Sequence, residues 1–381
     1  MDWHPHATEL AATVTPRGSQ WRRPVTTTPR HLFIPRWWET PAGARFGTWE
    51  LHDGPADPGV WMRTAYSDQS LITRVGESHA DHAAPDARPG GRPTSSATLP
   101  SLVVRMLRHA EIYDGADVLD VATGSGYSAA LLAQRLGDDR VTSIDVDPYL
   151  VEAAAGRLES IGLRPDVLAV DATGPLPGTY DRIVSMVSVR PIPASWLVAL
   201  RPGGRLVTVI ANTSLIVTAA KADDGSAEGQ IEWDRAMFMP TRSGGDYPPG
   251  ARDLFDAVWD AEGDEVTQGR YPVLNVSYNW ELPAMLEVVC PGIEHHYEEG
   301  DDGWRTARMV HADGSWARAT AQADGPPVIH QGGPRRLWDV LDEARAYWLQ
   351  HGELPVRGAF VCVAPDGVIH LQRGRWKATI G

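Results

Sequence analysis

Apolar and polar positions follow different rhythms in different parts of the chain. Between residues 94 and 211, short continuous apolar runs alternate with segments whose apolar positions recur every three or four residues. The first pattern predicts strands buried on both faces and the second predicts amphipathic helices. In chain order this gives a helix over 101–109, a strand over 117–122 and a helix over 127–136. A strand over 141–144 and a helix over 148–161 follow, the helix opened by Pro148 in its first turn. Strands are then predicted over 167–170, 182–187 and 205–210, with a helix over 193–200 before the last. Strands alternating with helices predict an α/β unit with a parallel sheet covered on both faces.

Residues 215–381 read differently. A helix is predicted over 252–261, and two hairpins form around Asp-Gly turns, 315–322 with 327–331 and 359–364 with 368–372. Between the hairpins lies a helix over 334–351, begun by Pro334 and closed by Gly352. Its stripe of Leu337, Leu341, Ala344 and Trp348 reads as packing. Residues 76–93 (GESHADHAAPDARPGGRP) are polar, rich in Pro and Gly and without periodicity, which predicts a mobile loop. Composition sharpens these zones, because the chain has 15 Trp and none of them lies between residues 62 and 195. The expected organisation is an N-terminal segment 1–93, an α/β domain 94–214 and an α+β C-terminal extension 215–381.

Charge narrows the partners. A net charge of −14 without a basic run argues against nucleic acid. No apolar stretch is long enough for a membrane span, and the start MDWHPHATELAATV lacks the features of a signal peptide. With only Cys290 and Cys362 there is no disulfide scaffold, so a cytoplasmic, monomeric protein is expected.

The chemistry concentrates in VLDVATGSGYSAALLA, residues 118–133. Gly124 and Gly126 allow close backbone approach to a ligand at the N-terminus of the following helix. Alone, this pattern also fits a dinucleotide fingerprint. Three acids change the reading: Asp120 at the end of the first strand, Asp145 at the end of the second and Asp171 at the end of the third. They suit a ligand with an ammonium at one end and an adenosine at the other, and they would repel a pyrophosphate. Asp147, before Pro148, reads instead as a helix N-cap.

Several ordered segments resemble the protein L-isoaspartate O-methyltransferases: PRHLFIP (29–35), TLPSLVVRML (98–107), the glycine segment 118–133, VTSIDVD (141–147) and LRPGGRLVTVI (200–210). The resemblance implies a Rossmann-like class I methyltransferase sheet over 94–214 and S-adenosylmethionine as cofactor. It places Asp120, Gly124, Gly126, Asp145 and Asp171 at the cofactor, with their motif neighbours Ala122, Tyr127, Val146 and Ala172. Thr98 falls beside the acceptor carboxylate, with Ser95 and Ser96 close in sequence. Leu99 stands where a polar residue is usual, and Ala122 replaces the first motif glycine. Both departures point away from ordinary repair specificity. The segments YSDQSLITRVG (66–76), SSATLPS (95–101) and QGGPRRLWD (331–339) are similar to those of longer relatives that act on lanthipeptide, graspetide or lasso-peptide precursors.

The expected reaction is therefore esterification of an aspartate in a ribosomally made, modified peptide, followed by closure to an aspartimide. An aspartate of pKa about 3.9 is already ionised at neutral pH, so no general base is needed. The acceptor must still be held near three acids, and the expected donors are the Thr98 hydroxyl, Ser95, Ser96, His31 and the guanidinium groups of Arg30 and Arg190, with Ser188 also expected at the substrate. Trp37 and Trp38 are expected to line a peptide groove. The alternatives are repair-type methylation of isoaspartate in damaged proteins, a NAD-dependent oxidoreductase and a non-catalytic peptide-binding module. No metal site is expected, since His295 and His296 would face opposite sides of a strand.

Overall fold

The computed structural model describes residues 2–44, 47–242, 247 and 251–381, with Arg252 described for its backbone alone. Two helices open the chain, α1 (His4–Val14) and α2 (Arg22–Thr27). A small antiparallel sheet follows, built from β1 (Arg36–Glu39), β2 (Glu50–Asp53), β3 (Leu71–Val75), β4 (Ser78–His79) and β5 (Pro93–Ala97), with α3 (Pro58–Ala65) between β2 and β3. The segment predicted as a mobile loop is not featureless. It contains β4 and a 3₁₀ turn over Ala80–His82, and Arg36 donates to the carbonyls of Asp81 (3.2 Å) and Ala83 (2.9 Å). Ala80 is fully buried. One apolar side chain and a few polar anchors order a stretch that has no periodicity to announce it.

The alternating unit then runs α4 (Pro100–His109), β6 (Val118–Val121), α5 (Tyr127–Leu136), β7 (Val141–Asp145), α6 (Pro148–Ser160), β8 (Asp166–Ala169), β9 (Tyr180–Val189), α7 (Ala194–Ala199) and β10 (Leu200–Ile210). Strands β10, β9, β6, β7 and β8 are parallel neighbours in that order. All four residues of β6 are buried, as a strand covered on both faces requires. The chain steps outward from β6 to β7 and β8, then returns to the other side of β6 with β9. The strand order therefore reverses beside β6, where open α/β sheets bind ligands.

The expected boundary at 214 does not mark an edge of the sheet. β11 (Leu215–Lys221) and β12 (Ala227–Arg235) continue it antiparallel. A separate five-stranded sheet then forms from β13 (Glu265–Gln268), β14 (Glu294–Glu299), β15 (Trp304–Val310), β16 (Trp316–Gln322) and β17 (Val328–Gly332), accompanied by α8 (Leu254–Val258), α9 (Glu281–Val289) and α10 (Leu337–His351). The last strands, β18 (Phe360–Val363), β19 (Ile369–Arg373) and β20 (Trp376–Ile380), return to the main sheet through β18 on β12. The result is one ten-stranded sheet whose far edge comes from the C-terminus. The helix predicted over 252–261 is a 3₁₀ turn followed by the five-residue α8. No helix is long and apolar enough to cross a membrane among the described residues.

Candidate active site

A cavity of about 240 Å³ opens at the C-terminal ends of the parallel strands. Its floor comes from residues 121–125 at the end of β6 and beyond, 144–146 at the end of β7, 170–172 after β8 and 186–187 in β9. The N-terminal sheet supplies Ile72, Thr94, Ser95 and Ser96 on one side, with Ser70 and Thr98 just beyond its strands, and residues 237–242 cross another.

The glycine turn builds the floor. Ala122 takes the left-handed region with φ of 72°, although it carries a Cβ, and Gly124 and Gly126 also have positive φ. The N–H groups of Ala122 and Thr123 both donate to the Ile144 carbonyl (2.8 and 3.0 Å), which ties the turn to β7. A Cβ on Gly126 would sit 3.0 Å from that of Ala154 on α6, so glycine permits the close approach of that helix. Gly126 itself supports the turn without lining the cavity.

The three acids differ in environment. Asp145 is buried; one oxygen accepts from Gly124 N (2.9 Å) and the other from Asp147 N (3.0 Å), while burial raises its carboxyl pKa. Asp171 is exposed and lies two residues beyond β8. It accepts from Thr173 N and Oγ1 and still lines the cavity beside Ala172. Asp120 is fully buried and does not line the cavity wall. One of its oxygens accepts from Ser143 Oγ (2.8 Å) and Ser128 Oγ (2.9 Å), whereas Oδ1 has no partner among the described residues. Burial pushes Asp120 up to about 7, against the two serine hydrogen bonds. Asp147 caps α6 through Tyr149 N, as its position before Pro148 predicts, and pairs with His79 (3.1 Å), Arg74 (3.6 Å) and Arg242 (3.9 Å).

The side that carries Thr98, expected to face the acceptor, is lined by hydroxyls. Ser95 Oγ accepts from Thr73 Oγ1 at 3.0 Å. Thr98 does not cap α4; Asp68 does so by accepting from Ser101 N at 2.9 Å, and Ser70 Oγ accepts from Leu99 N at 3.0 Å. The Thr98 hydroxyl is thus not committed to the helix.

Six expected substrate-side residues lie outside the cavity wall. Arg30 is fully buried and donates to the carbonyls of Ala65, Ser67, Gln69, Ala97 and Thr98, so its guanidinium holds the loop that carries Thr98 instead of facing a ligand. His31 is buried against Tyr66 (2.8 Å), and burial pushes its pKa down to about 4. Arg190 donates to the Glu287 carbonyl at 3.1 Å and pins α9. Ser188 donates to the Phe238 carbonyl at 3.1 Å. Trp37 and Trp38 are each 1% exposed; as neighbours in β1 they point to opposite faces and fill two separate apolar clusters. Buried indoles of this kind are core, not groove.

Sequence reasoning missed the segment 237–242 and its Arg242, the only basic side chain among the described lining residues. The segment lies beyond β12 and has no repeating pattern. It is held by pairing with β9 at Ser188, whose N–H donates to the Met239 carbonyl and whose carbonyl accepts from Thr241 N, both at 2.9 Å. Serines on the first turn of α5, such as Ser128, carried no signal either.

These residues fit S-adenosylmethionine. The unpartnered Asp120 oxygen and the acids Asp145 and Asp171 suit a cationic ligand, and the same charges disfavour a pyrophosphate. Asp145 and Val146 would hold the ribose side, Asp171 and Ala172 the adenine, and the lining residues Ala122 to Ser125 the methionyl end, with Asp120 buried outside the lining behind Ser128.

Residues 78–245 match the family model of protein-L-isoaspartate(D-aspartate) O-methyltransferases. The chain is 35% identical over 158 residues to a protein-L-isoaspartate O-methyltransferase of Thermococcus onnurineus, covering 40% of this chain and 69% of that protein. It is 34% identical over 155 residues to the enzyme of that name from Pyrococcus horikoshii, covering 39% and 68%. A solved structure titled protein-L-isoaspartate O-methyltransferase matches 97% of this chain and 99% of its own, with TM-score 0.51 and 15% identity, which shows that the fold is shared. The chain belongs to the protein-L-isoaspartate O-methyltransferase family and is an S-adenosylmethionine-dependent carboxyl O-methyltransferase.

Proposed function

We propose that the cavity esterifies the side-chain carboxylate of an aspartyl-type residue in a polypeptide. The observation that carries this reading is the division of the cavity, with the acids Asp145 and Asp171 on the cofactor side and the hydroxyls of Ser70, Ser96 and Thr98 on the other. S-adenosylmethionine supplies an electrophilic methyl group when bound. The described lining residues include no His or Lys, and a carboxylate acceptor needs none, because it is ionised at neutral pH. The task left to the chain is alignment and exclusion of water, which can account for much of the barrier. Asp145, Val146, Asp171 and Ala172 hold the nucleoside end, while Ser95, Ser96 and Thr98 face the acceptor.

The names of the relatives favour an L-isoaspartyl carboxylate in a protein as acceptor, the repair-type reading. A second reading is favoured by Leu99 and Ala122, the two departures within otherwise matching motifs. In it, the acceptor is an ordinary aspartate in a ribosomally made, modified peptide. The next backbone nitrogen then attacks the ester carbonyl, an N–C bond forms, the C–O bond to methoxide breaks, and methanol leaves with the amide proton. Residues 215–381 would contribute to recognition of that peptide.

Mass spectrometry tests both readings. The protein is incubated with S-adenosylmethionine and either an isoaspartyl peptide or its aspartyl isomer. Gain of one methyl on the isoaspartyl peptide alone supports the repair reading. Gain followed by loss of methanol on the aspartyl isomer supports the peptide reading. No methyl gain on any carboxylate peptide would sink the proposal.

A further inference from the structure

Tyr127 opens α5, lines the cavity and is only 3% exposed. Its hydroxyl is buried and has no hydrogen-bond partner among the described residues. A buried phenol without a partner is destabilising relative to the same ring without the oxygen, and packing would be served equally well by phenylalanine. The ring is already well placed by apolar contacts, edge to face with Phe33 at 6.0 Å between centroids. The oxygen is therefore unexplained by the fold.

The surroundings say which side of the cavity it serves. The Arg30 guanidinium lies 5.5 Å from the Tyr127 ring centroid. Its hydrogen bonds hold the carbonyls of Ala97 and Thr98, the backbone that carries the acceptor-side hydroxyl. Asp68 caps the start of α4 just beyond Thr98. Burial raises the phenol to about 12, so it stays protonated and can donate. Among the described lining residues, Ser70, Ser95, Ser96 and Thr98 offer aliphatic hydroxyls, the Tyr247 phenol donates to the Pro240 carbonyl (3.3 Å), and Arg242 sits against Asp147, while Arg30 is committed to carbonyls.

We propose that the Tyr127 hydroxyl donates a hydrogen bond to the acceptor carboxylate and, together with Thr98, orients it for methyl transfer. This rests on the carboxylate-methylation reading above. It places Tyr127 at the substrate and not, as its motif position predicts, at the cofactor. A neutral donor suits this site: it fixes the carboxylate without the ion pairing that would blunt its nucleophilicity.

Tyr127→Phe tests it, because the change keeps the ring and removes only the oxygen. The expected result is a fall of about tenfold or more in kcat/KM for the acceptor peptide, carried by a higher KM. S-adenosylmethionine affinity by calorimetry should be unchanged, and Tm equal or higher. Unchanged kcat/KM would overturn the inference while leaving the carboxylate reading intact. Weakened S-adenosylmethionine binding with an unchanged acceptor KM would also overturn it, assigning the oxygen to the cofactor. A wild-type protein that methylates no carboxylate peptide would remove both readings together. Should the variant melt well below wild type, Tyr127 is structural and the inference fails.

Discussion

The backbone N–H of Gly124 donates to the Asp145 carboxylate at 2.9 Å, joining the glycine turn after β6 to the end of β7. The carboxylate proposed to hold the cofactor's ribose is therefore also part of the local structure. Asp145→Ala should weaken S-adenosylmethionine binding by about tenfold or more and lower stability by about 1–3 kcal/mol, since it also strips two backbone donors. Calorimetric titration and urea denaturation of the same variant read the two effects. Full-strength binding would remove Asp145 from the cofactor site.

Ala122 adopts φ of 72° where glycine would be unstrained. Ala122→Gly relieves a left-handed conformation that costs about 1–2 kcal/mol, offset by the greater freedom of glycine in the unfolded chain. The expected net gain is up to about 1 kcal/mol, visible as a higher midpoint in denaturant. A clear loss of stability would mean that the Ala122 methyl contributes packing that outweighs its strain.

Arg30 gathers carbonyls from two separate stretches, 65–69 and 97–98. Arg30→Met should destabilise the protein by about 3 kcal/mol or more, because several buried acceptors lose their donor at once. Arg30→Lys should recover only part of this, since one ammonium cannot span so many acceptors. In any folded fraction, KM for the acceptor should rise more than affinity for S-adenosylmethionine falls. Equal behaviour of the Met variant and wild type in thermal melts would contradict the clamp.

Burial pushes Asp120 up to about 7. A carboxyl raised in the folded state is held protonated where the unfolded chain has already released the proton. Its contribution to stability is fully present below about pH 4 and declines as pH rises through about 7. A cation in the cavity, which Ser128 lines beside Asp120, favours the ionised form, so S-adenosylmethionine binding should release a proton below pH 7 and weaken as pH falls. Calorimetry at pH 6 in two buffers of different ionisation enthalpy measures this release. Asp120→Asn should abolish it, and buffer-independent enthalpies in the wild type would refute the linkage.

The central strands, the glycine turn and the Asp147 cap were legible because each is written locally. Strands covered on both faces are mostly apolar, as in VLDV, where Asp120 is the single polar residue, and Pro148 after Asp147 announces a helix start. The cysteines stayed uninformative: Cys290 and Cys362 are both free thiols. Arg30, His31 and Arg190 misled for one reason. A charged or titratable residue near a motif looks available until the carbonyls and side chains that surround it are known. The tryptophan pair misled similarly, since an aromatic in a strand serves a core or a groove according to what covers its face.

Local pattern thus set the α/β alternation, the turn that approaches the ligand and the acids at the strand ends, because side-chain period and backbone freedom are properties of neighbouring residues. It did not show that β18–β20 complete the main sheet, pairing Ala227 with Val363 across more than a hundred residues. Nor did it show that residues 237–242 wall the cavity, or that the Tyr127 hydroxyl is left without a partner beside it. Those outcomes depend on which distant segments meet. Strand pairing and side-chain satisfaction are settled between such segments, where one stretch of sequence carries no record of its partner.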